Sequence, residues 1–521
     1  MKTRYYIGYD CGTMGTKVAI YTGEGKLVSE AYREHKILYP RPGWAEMEPD
    51  QFYRVVVDGI KECIGKVNID PEAVSGISCS GIICGIVPID SSWNPVGPYV
   101  PYLDGRAQKE VKDLKNAAPL WVEESGNADL GAYMPPMILK WFLNNMSEVR
   151  SSAKKVVGAA HYVMGKLGNL RAKDAFVDWA HLSGWIVGFD ARKRDWSEKQ
   201  MKILGLPYEM LPRVVKPWDI VGELSAKEAS VLGLKPGVPL VAGAGDIMQS
   251  CLGSGLTETG MSFDVAGTAS IVAFAVKDID AAITKKKVLV NAMNTFDDQY
   301  LLWAFIPAGG LSLRWYRDEV YRKKEDDSVY RELDTLAEKV PPGSDFSFFF
   351  PFLQGRSSPV WPTASGTWLG LRGSNQAGHL WRSMMESIAF EYLYWTTVLR
   401  KANIPVKQMI GTGGGSKSPL WNQMKADMMD VEYMIPSHSE GAVKGNALLA
   451  AYGVGDIKDM KKTIKEWVSF SKVFKPDPEI TKFYHEVASV REEILNGPLL
   501  ECFNRIQSLH DNLSVPANKS N

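Results

Sequence analysis

The sequence predicts an α/β protein built as two related domains around a central cleft. Three observations carry this. The chain opens on Tyr5 to Tyr21 (YYIGYDCGTMGTKVAIY), where aromatic, β-branched and apolar residues flank a polar Gly/Thr tip, the pattern of a β-hairpin. The same arrangement returns at Gly260 to Phe274 (GMSFDVAGTASIVAF), where a strand carrying Asp264 runs into Gly267-Thr268 and out through Ile271-Val272-Ala273-Phe274. With 521 residues, the chain is long enough for two or more domains with large cores.

In the first tip, the glycines let backbone N–H groups converge on an anion, and Thr13 and Thr16 add hydroxyl donors. Asp10 stands among them as a carboxylate and suits a divalent cation between protein and phosphate. Alone, an ordinary hairpin with a polar turn explains the same residues. Two such turns on two halves of one chain instead suggest a nucleotide held in the cleft between them.

Composition narrows the partners. The chain is 45% hydrophobic and 23% charged, as soluble globular proteins are. Its 60 basic and 60 acidic residues cancel, so nothing points to a nucleic-acid or membrane surface, and a small molecule is the default partner. Cys11, Cys63, Cys79, Cys84, Cys251 and Cys502 show neither CxxC spacing nor His companions, which argues against zinc or a disulfide framework and for a reducing compartment. The first strand begins at once, without an apolar signal core, and no apolar run reaches membrane-spanning length. A cytoplasmic protein is expected.

In order, the opening hairpin is followed by a turn at Thr22 to Gly25 and a third strand within Lys26 to Ile37. Pro49-Asp50 starts an amphipathic helix to about Lys66, and Val74 to Asp90 (VSGISCSGIICGIVPID) reads as buried strands flanking a site. The order strand, strand, strand, helix, strand resembles the ribonuclease-H-like, actin-type nucleotide-binding domain. More specifically, the residues resemble the FGGY carbohydrate kinases. The DxGT turn Asp10 to Thr13, the loop Gly43 to Tyr53 (GWAEMEPDQFY) and Pro101 to Ala107 (PYLDGRA) are each similar to a family landmark, in the family's order. Ala132 to Trp141 shares a Pro…Lys-Trp pattern, and Asp178 to Trp196 is loosely similar to a further segment. With 16 tryptophans in the chain, most of these rings read as core packing.

Leu234 to Gly255 (LKPGVPLVAGAGDIMQSCLGSG) carries the candidate chemistry: a buried strand Leu240-Val241-Ala242, then Gly243-Ala244-Gly245, then Asp246 where a helix begins. Asp246 there suits either a helix cap or a base acting on a substrate in the cleft. The resemblance implies the base, which removes the proton of a sugar hydroxyl attacking the γ-phosphorus of ATP.

Further on, Tyr300 to Pro307 reads as a strand, and Ala308-Gly309-Gly310 leads into a helix bearing Arg314 and Trp315. Phe348 to Leu371 resembles a family segment of structural type and is left out of the site. His379 to Tyr394 reads as a helix with an exposed Arg382–Glu386 pair, worth about 0.2–0.5 kcal/mol at this spacing. Met409 to Asp430 is a strand, a triple glycine and a helix, similar to the family's adenosine-holding turn, and Glu440 to Gly453 a small-residue helix. Beyond Asp456 a helical extension ends in a polar tail, SVPANKSN, expected to be disordered.

The resemblance thus implies an ATP-dependent carbohydrate kinase that uses Mg2+. Residues 1–257 form the first domain, 258–455 the second and 456–521 the extension. Asp246 is the general base; Asp10, Gly12, Thr13, Lys17, Gly267, Thr268, Gly310, Arg314, Gly414 and Ser418 contact the nucleotide; Asp10 and Asp246 are the metal-side carboxylates. Ile83, Cys84, Asp104, Arg106 and Asp246 line the acceptor site. Domain closure on the sugar is expected, to keep water from the γ-phosphoryl group.

The chain also departs from its relatives. Gly81-Ile82-Ile83-Cys84-Gly85 stands where xylulose-type kinases carry Gly-Gln-Met-His-Gly, Ile247 follows the catalytic Asp where Asn or Gln is frequent, and Met14 and Lys17 differ from the usual first turn. The expected acceptor is a ketopentose such as xylulose or ribulose. Another polyol or modified sugar (glycerol, erythritol, an autoinducer-like compound), a sugar-sensing pseudokinase, and a nucleotide-gated chaperone-like protein remain open. A sugar or polyol is the expected partner, with no nucleic acid and no membrane; a homodimer is compatible.

Overall fold

The opening pattern folds as its residues specify. Tyr5–Cys11 (β1) and Gly15–Thr22 (β2) pair antiparallel, and Leu27–Glu34 (β3) extends the ladder. Ile7, Tyr9, Val18 and Ile20 are buried with Phe52, Val56, Ile60 and Cys63 of the helix Pro49–Gly65 (α1). Those helical positions recur at one-face spacing, and Pro49 occupies the first turn, where no amide is missed. The chain re-enters the sheet as Val74–Gly81 (β4), parallel to β1. Pro239–Gly245 then pairs parallel to β4, and Ile220–Glu223 closes the edge antiparallel. This computed structural model describes residues 3–513 apart from 68, 113, 115–117, 128–129 and 439–440, so the tail expected to be disordered, 514–521, lies outside the described residues.

A second sheet repeats the plan. Met261–Ala266 and Ser270–Val276 form the second hairpin, Tyr300–Ile306 is its third strand, and Gln408–Thr412 and Glu432–Pro436 follow in parallel. From the third strand outward the two sheets share one order: third, second, first, fourth, fifth, and an antiparallel edge. In the second sheet that edge is Phe470–Phe474. The sequence reading of an all-helical extension misses this strand, because its two-residue alternation is too short and too exposed to show.

Two helices that follow equivalent strands join the halves. Asp246–Gly253 packs against Gly441–Gly453, and the latter also covers β1 and β4. The approach needs glycine: a Cβ on Gly253 would come within 1.8 Å of the Gly441 carbonyl oxygen. Among the described residues, no helix is long and apolar enough to cross a membrane.

The Arg382–Glu386 pair corrects an expectation. Both residues are buried, and Glu386 accepts hydrogen bonds from Arg382 Nε (2.8 Å), Tyr484 Oη (2.7 Å), Gly343 N (2.9 Å) and Ser344 Oγ (2.8 Å). Tyr484 belongs to the helix Pro478–Ile494, which lies over the pair. Removing one partner of such a pair costs roughly 3–5 kcal/mol, far above the surface value.

Candidate active site

The first hairpin turns over residues 12–14, with Met14 exposed at the tip. Gly12 N donates back to Asp10 O (3.2 Å) and Gly15 O (3.0 Å), so this amide is engaged inside the turn. Asp10 stands opposite Lys17 in the ladder, which places both side chains on one face. Ser80 Oγ donates to Asp10 Oδ1 at 2.7 Å, and Asn446 Nδ2 donates to Ser80 Oγ at 2.9 Å and to Tyr9 O at 2.8 Å. Through Ser80, a helix of the second half therefore reaches the Asp10 carboxylate.

Parallel pairing brings Asp246 to the same end of the sheet. Cys11 and Gly245 are both in register with Gly81, so the strand after which Asp246 stands ends level with β1. Gly245 is the residue that enters the helix, which leaves Asp246 as its first helical residue and not its cap. The Asp246 carboxylate accepts from Ile247 N at 2.8 Å. Burial, and then the negative charge of Asp10, push its carboxyl up from 3.8 to about 7, against the pull of backbone N–H groups. Two carboxylates within one another's field form an all-oxygen donor set that fits a hard dication such as Mg2+.

Ile83 and Cys84 form a wall beside this carboxylate. A Cβ on Gly245 would lie 2.2 Å from Ile83 Cγ2, and one on Gly184 would lie 1.9 Å from the Ile83 carbonyl oxygen, so the wall is wedged between two glycines. Cys84 Sγ donates to Gly184 O at 3.1 Å. Burial, and next the Asp246 charge, push its thiol up to about 12, so it stays a neutral, weakly polar surface.

Asp104 and Arg106 are held by their neighbours. Asp104 is buried, accepting from Ala45 N (2.6 Å), Arg106 N (2.9 Å), Arg106 Nε (2.9 Å) and Arg106 Nη2 (2.8 Å). Arg106 Nη1 meets Glu46 Oε1 at 2.8 Å, and its guanidinium stacks over Trp44 at 4.0 Å and Trp141 at 4.9 Å. The pair fixes the loop that carries Trp44 and Ala45.

On the other side, Gly267 N donates to Val265 O at 2.9 Å, the same two-residue closure as in the first hairpin. Gly310 N donates to Gly267 O (3.0 Å) and Leu311 N to Thr268 O (2.9 Å); a Cβ on Gly310 would sit 2.3 Å from the Gly267 carbonyl oxygen. Gly413, at φ +81°, and Gly415 both pack against Ala266, so the triple glycine, the second hairpin and the start of the helix Gly309–Trp315 converge. Gly414 faces open space. Ser418 caps the helix Pro419–Met429, its Oγ accepting from Trp421 N at 3.2 Å, and Arg314 is exposed.

Sequence reasoning missed several residues. Asp264, which made the second hairpin look like a copy of the first, is fully buried: it accepts from Lys425 Nζ (2.5 Å), Tyr392 Oη (2.7 Å) and Tyr433 Oη (2.6 Å). The matching turn bonds align Asp10 with Val265, so Asp264 sits one residue earlier and points to the opposite face. Ser80 and Asn446 carried no local signal beyond small-residue strands and helices.

Fold and site together define a nucleotide-dependent phosphotransferase of the actin type. Models of the FGGY family of carbohydrate kinases match the chain over residues 5–253 (N-terminal domain) and 265–454 (C-terminal domain), and the protein belongs to that family. It is a sugar kinase by family, and such enzymes use ATP with Mg2+. A gluconokinase of Bacillus subtilis is 26% identical over 467 residues, 87% of this chain and 88% of its own. A xylulose kinase of Staphylococcus epidermidis is 24% identical over 490 residues, 94% of this chain and 96% of its own. Among solved structures, a ligand-bound xylulose kinase from Lactobacillus acidophilus aligns with a TM-score of 0.86 at 22% identity, covering 95% of this chain and 98% of that one. A gluconate kinase from the same organism aligns at 0.87 and 22%, covering 97% and 100%.

Proposed function

We propose that the protein transfers the γ-phosphoryl group of ATP to a hydroxyl of a ketopentose of the xylulose or ribulose kind, with Asp246 as general base. The position of Asp246, level with Asp10 at the end of the first sheet and holding a carboxyl raised to about 7, carries the reading. Such a group takes a proton readily near neutrality. The acceptor O–H gives its proton to Asp246 as the new O–P bond forms and the bond to the β-phosphate oxygen breaks, releasing ADP. Asp10 and Asp246 would hold the magnesium ion, which neutralises developing phosphate charge when bound.

Lys17 lies on the Asp10 face and adds positive charge there. Thr13 at one tip, and Gly267, Thr268 and Gly310 at the other, would flank the phosphates; Gly414 and Ser418 stand where an adenosine would lie, with Arg314 nearby in sequence to Gly310. The Ile83–Cys84 wall gives the acceptor a less polar face, while the loop held by Asp104 and Arg106 borders it. A second reading, gluconate, is favoured by the gluconokinase relative that aligns along most of both chains.

The test is ADP release with xylulose, ribulose, gluconate, glycerol and erythritol, for the native chain and for Asp246→Asn. The highest kcat/KM on a ketopentose supports the proposal; dominance of gluconate replaces it with the second reading. ATP binding without turnover on any acceptor would identify a sugar sensor. Asp246→Asn should abolish turnover while ATP still binds, and near-normal turnover would remove Asp246 from its role.

A further inference from the structure

We propose that His161, Asp178 and His181 form a site for one divalent transition-metal ion, zinc in the first instance, buried in the first domain. His161 lies on the helix Ala159–Gly168, Asp178 ends the short strand Phe176–Asp178, and His181 stands in the adjoining helix Trp179–Leu182. All three are buried, with relative exposures of 1%, 0% and 2%. One ligand atom from each lies within 4.8 Å of the others. His161 Nε2 is already 3.1 Å from Asp178 Oδ2, near the roughly 3.4 Å that two ligands of a tetrahedral zinc keep at bonds of about 2.0–2.1 Å. The His161 and His181 rings meet edge to face, with centroids 4.5 Å apart, so His181 has only to draw in.

Hydrogen bonding points to a missing partner at the same place. Buried polar atoms are almost always bonded, yet both ring nitrogens of His181 and Nδ1 of His161 have no hydrogen-bond partner. A neutral imidazole presents one donor and one acceptor, so a buried His181 ring with neither answered is unusual, and one of its nitrogens is open to an ion. Gly158 leaves room beside the His181 ring: a Cβ there would sit 2.6 Å from its Nε2. Asp178 Oδ1 is held in place by the His181 backbone N–H at 2.8 Å.

The donor set sets this site apart from the one in the cleft. Two imidazoles and one carboxylate suit zinc and its neighbours in the first transition row, whereas magnesium takes oxygen ligands. Three protein ligands leave one position for water. Just beyond His181, the Gly184 carbonyl accepts Cys84 Sγ at 3.1 Å, so an ion here would brace the segment that backs the acceptor wall. Its role is positional, because all three ligands are buried.

The experiment uses the full chain, stripped with a chelator, reloaded with Zn2+ or Co2+ and desalted. Mass-spectrometric metal analysis should find one zinc per chain, cobalt should give the visible d–d bands of a tetrahedral ion with nitrogen ligands, and zinc should raise the Tm. His181→Asn and the double variant His161→Asn/His181→Asn should lose the bands and retain less than a tenth of the zinc. Should these variants fail to fold, the native chain decides: no retained zinc and no cobalt bands overturn the proposal and leave a buried water as the partner of the nitrogens. Full zinc retention in a folded double variant overturns it equally, by placing the metal at other residues.

Discussion

Asp10 and Asp264 lie near the tips of two hairpins of the same shape, in sheets of the same strand order, and their surroundings are opposite. Each tip closes with a glycine N–H donating two residues back, to Asp10 O in one and to Val265 O in the other. Counting from that bond, Asp264 is one residue further into its strand, so it turns away from the cleft and into the core of its own domain. There Lys425 and the phenols of Tyr392 and Tyr433 occupy its oxygens, all fully buried. Asp10 is only partly buried, faces the same side as Lys17 and raises the pKa of Asp246. A one-residue offset thus separates a carboxylate that can serve a cleft from one that serves a core. In the proposed reading, both hairpins flank the phosphates and only the first offers a metal-side carboxylate.

The largest test of this contrast compares Asp10→Asn with Asp264→Asn. Asp10→Asn should lower kcat/KM for ATP on the order of 10³-fold, about 4 kcal/mol of transition-state stabilisation, with a urea midpoint unchanged or higher. Asp264→Asn leaves the buried Lys425 ammonium without its counter-charge, and breaking such a pair costs roughly 3–5 kcal/mol. Its loss of activity should therefore follow the unfolded fraction. A folded Asp264→Asn protein with a native midpoint and no turnover would break the contrast.

A second test follows the proton on Asp246. The base must be ionised to act, and burial together with Asp10 holds its proton on up to about pH 7. In the metal-free protein the carboxyl should therefore titrate near 7, and bound Mg2+ should pull it lower, so kcat/KM for the acceptor should fall tenfold per pH unit below a limb that lies under 7 and level off above it. Asp10→Asn removes the negative neighbour and should lower the carboxyl's titration point in the metal-free protein, as NMR titration would read. Stability runs the other way: a carboxyl raised from 3.8 to about 7 favours the folded state fully below 3.8 and loses that contribution as pH rises through 7. Asp246→Asn should accordingly melt above the native protein at pH 8, with the gap closing towards pH 4. A pH-independent gap would mean that the carboxylate is not under strain.

How much of this was legible in the sequence depended on distance along the chain. The Asp10-Cys11-Gly12-Thr13 turn, the strand ending in Gly245 before Asp246, and the triple glycine are local patterns, and each folds where its residues place it. What the sequence hid were partners far apart in the chain. Nothing near Asp264 announces Lys425, and nothing near Arg382 announces that Tyr484 will cover it, so a core carboxylate made the second hairpin look like a copy of the first and a buried pair read as an exposed one. The His161, Asp178 and His181 cluster escaped for the same reason. Its spacing fits no compact motif, and the cysteine pattern drew attention to zinc only to dismiss it.

Glycine at the second hairpin offers a finer comparison between the two tips. A Cβ on Gly310 would meet the Gly267 carbonyl at 2.3 Å, whereas one on Gly12 would meet its nearest atom, the Gly15 carbonyl oxygen, at 3.0 Å. Gly310→Ala should therefore displace the second tip and raise the KM for ATP about tenfold, or roughly 1.4 kcal/mol, with the acceptor KM unchanged. Gly12→Ala should do less. Equal effects at both positions would mean that the second tip does not depend on this contact.

The smallest effect is expected at Tyr484, where the helix Pro478–Ile494 covers the Arg382–Glu386 pair. Its phenol donates to Glu386 Oε1 at 2.7 Å and lies 3.1 Å from Arg382 Nη2. Tyr484→Phe keeps the ring that packs on Phe390 and removes only the hydroxyl, leaving Glu386 bonded to Arg382, Gly343 and Ser344. One neutral donor to a charged acceptor is worth about 1.5–3 kcal/mol when lost outright, and the remaining bonds should hold the net cost near 1 kcal/mol. The urea midpoint should fall by that amount while kcat and both KM values stay native, because the partners of the pair, Gly343, Ser344 and Tyr484, are none of the residues assigned to the site. A change in the KM for ATP at an unchanged midpoint would instead tie the helix Pro478–Ile494 to nucleotide binding, and would extend the nucleotide-facing role of the second domain beyond its hairpin.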